Sequence, residues 1–241
     1  MNRAMKIPKI FHHIWLGDEP MPPQMVAWRR AWGELHPDFE MWLWQNGLGT
    51  RGHDHDFVFM QTSLGVRRIF ATRYPDLVSR SCHLSQISNI FRYEILNDYG
   101  GIYLDTDMEP SRNLTPLIDD VECFAGFGET KTRDGMVVTV ENAIFGTTPD
   151  SLLTKGLVSR LPERDPSVHT SMGVGFFQEV ARDIPNMRIF QPHVFHYRIQ
   201  SDHHPWGSTS DTLSCYHPDA YAYHRRSSGW FKNGLKLLNR E

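Results

Sequence analysis

Three features of the sequence predict an α/β fold. The run Ile7-Pro8-Lys9-Ile10-Phe11-His12-His13-Ile14-Trp15-Leu16-Gly17 is nearly continuous in apolar residues, as a strand covered on both faces is. The segment behind it reads as a helix and then a second strand, which calls for a parallel pair joined by a crossover. Further on, Gly100-Gly101-Ile102-Tyr103-Leu104-Asp105-Thr106-Asp107 sets a double glycine, three apolar residues and two acids in immediate succession. That pattern is a buried strand with acids at its carboxyl end, where open α/β sheets bind ligands.

Residues 17–23 form the loop after the first strand. His13 and Trp15 lie two apart and share a face near the strand's end. The Trp15 ring suits either core packing or a platform for a nucleotide base. Pro23 fits a first helical turn, and Met25, Trp28, Trp32 and Leu35 recur at helical spacing until His36-Pro37 ends the helix. Residues 39–44 alternate Phe39, Met41 and Leu43 against Glu40, Trp42 and Trp44, a second strand. Residues 45–56 form a polar loop; its His53-Asp54-His55-Asp56 has metal-ligand residue types but nothing that fixes their geometry. Residues 65–74 read as a helix ending before Pro75.

Ser81 to Tyr99 reads as one helix with Leu84, Ile87, Phe91 and Ile95 as its apolar stripe. Ser85, Asn89 and Arg92 fall beside the stripe, with Asn89 and Arg92 as i, i+3 neighbours. Gly100 is expected to cap it in the left-handed conformation. Helix, glycines, strand and acids follow without a spare residue, so the helix projects Asn89 and Arg92 toward Asp105 and Asp107. In extended chain, residues two apart point the same way, which brings the two acids to one spot. Carboxylates held that close repel unless a cation or hydroxyl donors sit between them. Oxygen ligands of this kind suit Mg²⁺ or Mn²⁺, which bridge to phosphate oxygens. A solvated acidic turn is the plain alternative.

Beyond the acids, residues 108–116 read as a loop, 121–127 and 136–145 as strands, and 149–160 as a helix. The small-residue turn Ser171-Met172-Gly173-Val174-Gly175 leads into a further helix ending at Asp183. His193 and His196 have zinc-ligand spacing, but Pro192 argues against a helix there, and ordinary packing or surface roles are preferred. Residues 201–210 read as a polar, acceptor-side loop.

Composition narrows the function classes. Hydrophobic residues make up 40% and charged residues 22% of the 241, enough for a full core. A net charge of −3 gives no basic field for nucleic acid. Cys82, Cys123 and Cys215 are far apart and odd in number, which fits a reducing cytoplasm and no disulfide framework. Lys6, Pro8 and Lys9 interrupt any signal-like apolar run, and no stretch of about 18 apolar residues is available to span a membrane. Membrane contact is then at most peripheral, at the inner face, through the short basic tail 231–241.

Two blocks, Ser88-Asn89-Ile90-Phe91-Arg92-Tyr93-Glu94-Ile95-Leu96 and Tyr99-Gly100-Gly101-Ile102-Tyr103-Leu104-Asp105-Thr106-Asp107, resemble the DXD sugar-binding glycosyltransferases of family 32. That group includes yeast initiation mannosyltransferase and bacterial polysaccharide transferases, with the clostridial glucosylating toxins as distant relatives. The opening 7–15, Asn142-Ala143-Ile144-Phe145-Gly146 and the closing 224–230 are similar to the same family. The resemblance implies one GT-A domain over 1–241, with a nucleotide-binding part at about 5–110, an acceptor-side part at about 111–230 and the tail. It implies Mn²⁺ or Mg²⁺, a UDP- or GDP-sugar donor, and hexose transfer with retention to a glycan, lipid-linked glycan or other glycoconjugate, in polysaccharide biosynthesis.

By matching position, Asp107 ligates the metal, with His224 or Ser228 as a second ligand. Asp105 holds donor sugar or ribose hydroxyls, Arg92 contacts the sugar, and Trp15 lies against the base. His13, Asn89, Asn142, Arg225 and Trp230 complete the donor site, with Arg225 and Arg226 available to neutralise diphosphate. The family's helix usually carries Asp where this chain has Asn89, which hydrogen-bonds but bears no charge. A nucleotide-sugar-binding protein with weak or no transfer, or a metal-dependent nucleotide-sugar hydrolase, are the rival expectations.

Overall fold

The computed structural model describes residues 6–17, 19–46, 57–61, 67–132, 135–195 and 217–225. The first strand, β1 (Ile10–Trp15), leads into α1 (Pro23–Leu35), which has Pro at its start, and returns as β2 (Glu40–Gln45), parallel to β1. This is the predicted strand–helix–strand unit.

Residues 67–71 depart from expectation. The spacing of Val66, Ile69 and Phe70 fits a helix, but β3 (Phe57–Gln61) and β4 (Arg67–Ala71) form an antiparallel hairpin on β2. Phe70 is buried and its neighbour Ile69 is 67% exposed, the alternation of an edge strand. The helix expected from Ser81 is α3 (Leu84–Tyr99), which starts three residues later with His83 as its N-cap, and a break separates it from a short unexpected helix, α2 (Pro75–Arg80). Gln86 makes the break stable, its side-chain oxygen accepting from the backbone N–H groups of Cys82 and His83.

Then come β5 (Gly101–Leu104), β6 (Met108–Pro110) and α4 (Thr115–Ile118), β6 lying inside the expected loop and α4 beginning in it. A long antiparallel pair follows, β7 (Cys123–Thr132) and β8 (Gly135–Thr147), and then α5 (Leu152–Arg160) and α6 (Val174–Ala181). The described chain closes with β9 (Arg188–Phe190), α7 (Pro192–Phe195) and β10 (Ala222–His224). Pro192 does not exclude a helix: it begins one, at the position where the missing N–H costs nothing. His193 on α7 packs its ring 4.8 Å from that of His217.

The main sheet runs β4-β3-β2-β1-β5-β8-β7-β9, and β6 pairs with β10 in a separate two-stranded sheet. β1, β2 and β5 are parallel, whereas β8 runs against β5, so the expected mixed α/β sheet is present. Helices cover both faces. Ile14, Trp44, Phe91, Ile95, Leu157 and Phe177 form the core under α3, α5 and α6. Phe11, Trp32, Met41, Leu104 and Phe195 form the core under α1, α4 and α7. Among the described residues, no helix is long and apolar enough to cross a membrane.

Two glycines set the join between α3 and β5. Gly100 has φ 62° as expected, but its ψ of −155° lies outside the left-handed helical region, in a region open to glycine alone. Its N–H still donates to the Leu96 carbonyl at 2.9 Å. Gly101 has φ 93°, and a Cβ there would meet the Ile10 carbonyl oxygen at 2.8 Å and His12 Nε2 at 2.9 Å.

Candidate active site

Asp105 and Asp107 do converge, though by a turn and not by strand alternation. β5 ends at Leu104, and the Met108 N–H donates back to the Asp105 carbonyl at 3.1 Å. The turn continues into β6, whose partner β10 carries His224 opposite Met108. The Arg225 N–H donates to the Asp107 carbonyl at 3.1 Å and extends the pairing to the turn itself. His224 Nε2 therefore lies 3.4 Å from Asp107 Oδ1 and 3.8 Å from Asp105 Oδ2.

One ligand atom from each of Asp105, Asp107 and His224 falls within 4.8 Å of the others. Ligands about a first-row divalent ion, at roughly 2.0–2.2 Å from it, are spaced about 3–4.4 Å apart, so this set is near the geometry such an ion needs. Two carboxylate oxygens and an imidazole nitrogen suit Mn²⁺ or Mg²⁺. Asp105 is pushed above the usual carboxylate range by burial, with the Asp107 charge adding to the push and Arg92 and His224 opposing it. A divalent cation would relieve both causes at once.

Behind the acids stands Arg92 of α3, buried, with Nη1 3.2 Å from Asp105 Oδ1 and 2.9 Å from the Asn142 carbonyl oxygen. Its guanidinium lies 4.1 Å from the centre of the Tyr103 ring, and the Tyr103 hydroxyl donates to Asp105 Oδ1 at 2.8 Å. Tyr103 and Asp105 are two apart, so the two-residue period of β5 marks this tyrosine, which the sequence alone did not single out as a site residue.

Asn142 reaches the site through an irregularity in β8. Ala125 pairs with Phe145, but the next residue, Gly126, pairs with Glu141, so residues 142–144 are extra on the β8 side. Released from β7, this segment serves β5: the Ala143 carbonyl accepts from the Asp105 N–H at 2.8 Å. Asn142 Nδ2 donates to Asn89 Oδ1 at 3.0 Å and to the Tyr93 hydroxyl at 2.9 Å. The Tyr93 hydroxyl in turn donates to the Met172 carbonyl at 3.0 Å, tying in the turn before α6.

Six of the predicted residues thus meet: Asn89, Arg92, Asp105, Asp107, Asn142 and His224. Arg225 lies beside them, with its guanidinium engaged by Glu109. Trp15 sits at the carboxyl end of β1, packed with Met25 and Trp28, its Nε1 donating to the Glu19 carbonyl at 2.8 Å. His13 is buried in β1. Burial, Arg29 and His12 hold it well below its usual range, and its Nδ1 finds no partner among the described residues. Arg226, Ser228, Trp230, the His53–Asp56 loop, His196, residues 201–210 and the tail lie outside the described residues.

Comparison with known proteins points the same way. Residues 22–124 match a family described as the glycosyltransferase sugar-binding region containing a DXD motif. The inositol phosphoceramide mannosyltransferase 3 of Schizosaccharomyces pombe is 32% identical over 120 residues, which are 48% of this chain and 29% of that protein. The mannosyl phosphorylinositol ceramide synthase CSH1 of Saccharomyces cerevisiae is 30% identical over 112 residues, 46% of this chain and 26% of that one. The chain thus spans less than a third of the length of these two relatives. A solved structure, the catalytic domain of alpha-toxin from Clostridium novyi, aligns over 67% of this chain and 58% of its own with 14% identity and a TM-score of 0.48. The matched stretch contains Asn89, Arg92, Asp105 and Asp107, and over it the chain is similar to the DXD-containing sugar-binding region of glycosyltransferases.

Proposed function

We propose that the chain is a metal-dependent glycosyltransferase that moves a hexose, with retention, from a nucleotide sugar to a hydroxyl of a glycan or lipid-linked glycoconjugate. The observation that carries this reading is the approach of Asp105, Asp107 and His224 to within 4.8 Å beside the buried Arg92. Asp107 and His224 would hold Mn²⁺ or Mg²⁺, which when bound supplies Lewis-acid stabilisation to the diphosphate leaving group. Arg92 offsets one of the two carboxylate charges and is itself held by Tyr103 and Asn142.

Asp105 presents an acceptor oxygen to donor hydroxyls, and Asn89 adds an amide donor and acceptor. Trp15 marks the base end of the same sheet rim. No side chain here is assigned as a glycosyl nucleophile; a diphosphate oxygen can take the acceptor's proton while the acceptor oxygen bonds to the anomeric carbon. The names of the relatives make mannose the first sugar and an inositol-phosphate lipid the first acceptor to try, with polysaccharide acceptors next.

A screen of UDP- and GDP-sugars for Mn²⁺-stimulated nucleotide release, with and without acceptor, tests the reading. Release that rises with acceptor is expected. Tight binding without release would favour a binding protein, for which Asn89 is the motive. Release indifferent to every acceptor would favour a hydrolase.

A further inference from the structure

One turn beyond Asn89 on α3, a second polar cluster continues the line of the site. Ser85, Asn89 and Arg92 succeed one another at i, i+4 and i+7, on one helix face and roughly 10 Å from end to end. Each meets a partner from another element: Arg92 meets Asp105, Asn89 meets Asn142, and Ser85 Oγ lies 2.9 Å from His169 Nε2. The His169 ring is in turn 4.0 Å from that of His83, tilted by 48°.

The loop that carries His169 is fixed to α3 along its length. Gln86 Nε2 donates to the Pro166 and Val168 carbonyls, each at 3.0 Å. The Ser171 N–H closes on the Val168 carbonyl at 2.9 Å and the Gly173 N–H on Thr170 at 3.1 Å. At the far end Gly173 passes close to Asn89: a Cβ there would lie 3.8 Å from Asn89 Nδ2. The loop therefore runs beside the polar face of α3, from the Ser85–His169 pair to the donor-side amide.

Ser85, His83 and His169 are all partly exposed, unlike Asn89 and Arg92. Burial and the neighbouring His83 keep His169 below its ordinary range, so at neutral pH the ring is uncharged and offers one donor and one acceptor. A serine hydroxyl with a neutral imidazole is matched to a neutral polyol, whose adjacent hydroxyls also each donate and accept. Among the described residues its contacts are between neutral groups, which suit a neutral polyol better than an anion.

We propose that Ser85 and His169, with His83 behind, form a saccharide subsite for the acceptor, roughly 10 Å along α3 from Arg92. This rests on the reading of the chain as a glycosyltransferase. It extends that reading by saying where the acceptor lies and that a neutral sugar or cyclitol ring is recognised there.

Saturation-transfer NMR with methyl α-mannopyranoside and methyl α-glucopyranoside, in Mg²⁺ and nucleoside diphosphate, tests the subsite without needing turnover. At least one glycoside should bind, and Ser85→Ala and His169→Gln should each weaken it about fivefold or more with thermal stability retained. Asp107→Ala should leave it intact. Binding of neither glycoside, or equal binding by wild type and both variants, would overturn the subsite. The donor screen on wild type judges the transferase reading separately, and both variants should keep acceptor-free nucleotide release within twofold of wild type.

Discussion

Asn142 donates through Nδ2 to the side-chain oxygen of Asn89 at 3.0 Å, a contact between a strand irregularity and a helix 53 positions away. It fixes the Asn89 amide with its oxygen inward and its nitrogen toward Gly173. Asn89→Asp keeps an oxygen for Asn142 and places a second, charged one where the nitrogen was, a turn from Arg92. Exchanging a neutral for a charge-assisted hydrogen bond differs by about 1 kcal/mol, or about fivefold. The expected result is a change of that size in donor KM or kcat, or a change in the preferred sugar, at similar melting temperature. Kinetics unchanged for every donor would remove Asn89 from the sugar pocket.

Asp107 shares its position with Asp105 and His224, and its charge raises the cost of ionising Asp105. Asp107→Ala should lower metal-stimulated turnover by about 100-fold or more, the scale of losing one electrostatic stabiliser at a reacting centre. The fold should hold, because the variant removes a like charge from beside Asp105. Calorimetry should show a melting temperature equal to or above that of wild type, and Mn²⁺ should no longer shift it. A variant with full activity would dismiss Asp107 as a ligand.

Much of this site could be read from the chain because its parts are local. Arg92 and Asn89 lie within one helix, the acids within one turn, and the join between them is two glycines long, so period and spacing sufficed. The rest depends on contacts between distant segments. His224 meets Asp107 only because β10 pairs with β6, and nothing local in residues 222–224 names that partner. The extra residues 142–144 are invisible as a pattern, since the irregularity is a matter of how β8 pairs with β7 and leaves no local mark in Glu141-Asn142-Ala143-Ile144. The β3–β4 hairpin was misread because a five-residue edge strand shows too few residues to separate a period of 2 from 3.6. Asp107 does approach Asp105, but through a turn that replaces the strand alternation expected from the sequence.

The glycine pair gives a third prediction. Gly101 combines φ 93° with a space already filled by the Ile10 carbonyl and His12. Gly101→Ala should destabilise the protein by about 1–3 kcal/mol from backbone strain, with further loss from displacing β1. Because β5 carries the acids, turnover should fall more than the folded fraction does. Urea unfolding alongside activity checks both; an unshifted midpoint would mean that the turn relaxes freely.

His12 ties that turn to the pH of the solution. Trp44 Nε1 can only donate, and it lies 3.1 Å from His12 Nδ1, so Nδ1 accepts and Nε2 carries the proton toward the Gly100 carbonyl at 2.9 Å. Protonating Nδ1 would set two donors face to face and bury a charge, and burial lowers His12 from 6.5 to about 3. A folded value below the unfolded one means that the unfolded chain binds the extra proton. The stabilisation is complete above pH 6.5 and is lost as pH falls toward 3, by roughly 1.4 kcal/mol per unit within that window. His13 is displaced in the same direction, while buried Glu94, raised by burial, works in the opposite one. The comparison is therefore between wild type and His12→Gln, which retains the other two groups. Urea unfolding from pH 4 to 7 should give a shallower rise of stability with pH in the variant, and wild type should lose the Trp44 Nε1 bond to His12 Nδ1 on acidification while Nε2–H still donates to Gly100. Parallel slopes would show that the His12 proton is not coupled to folding, and the tautomer assigned through Trp44 would fall with it.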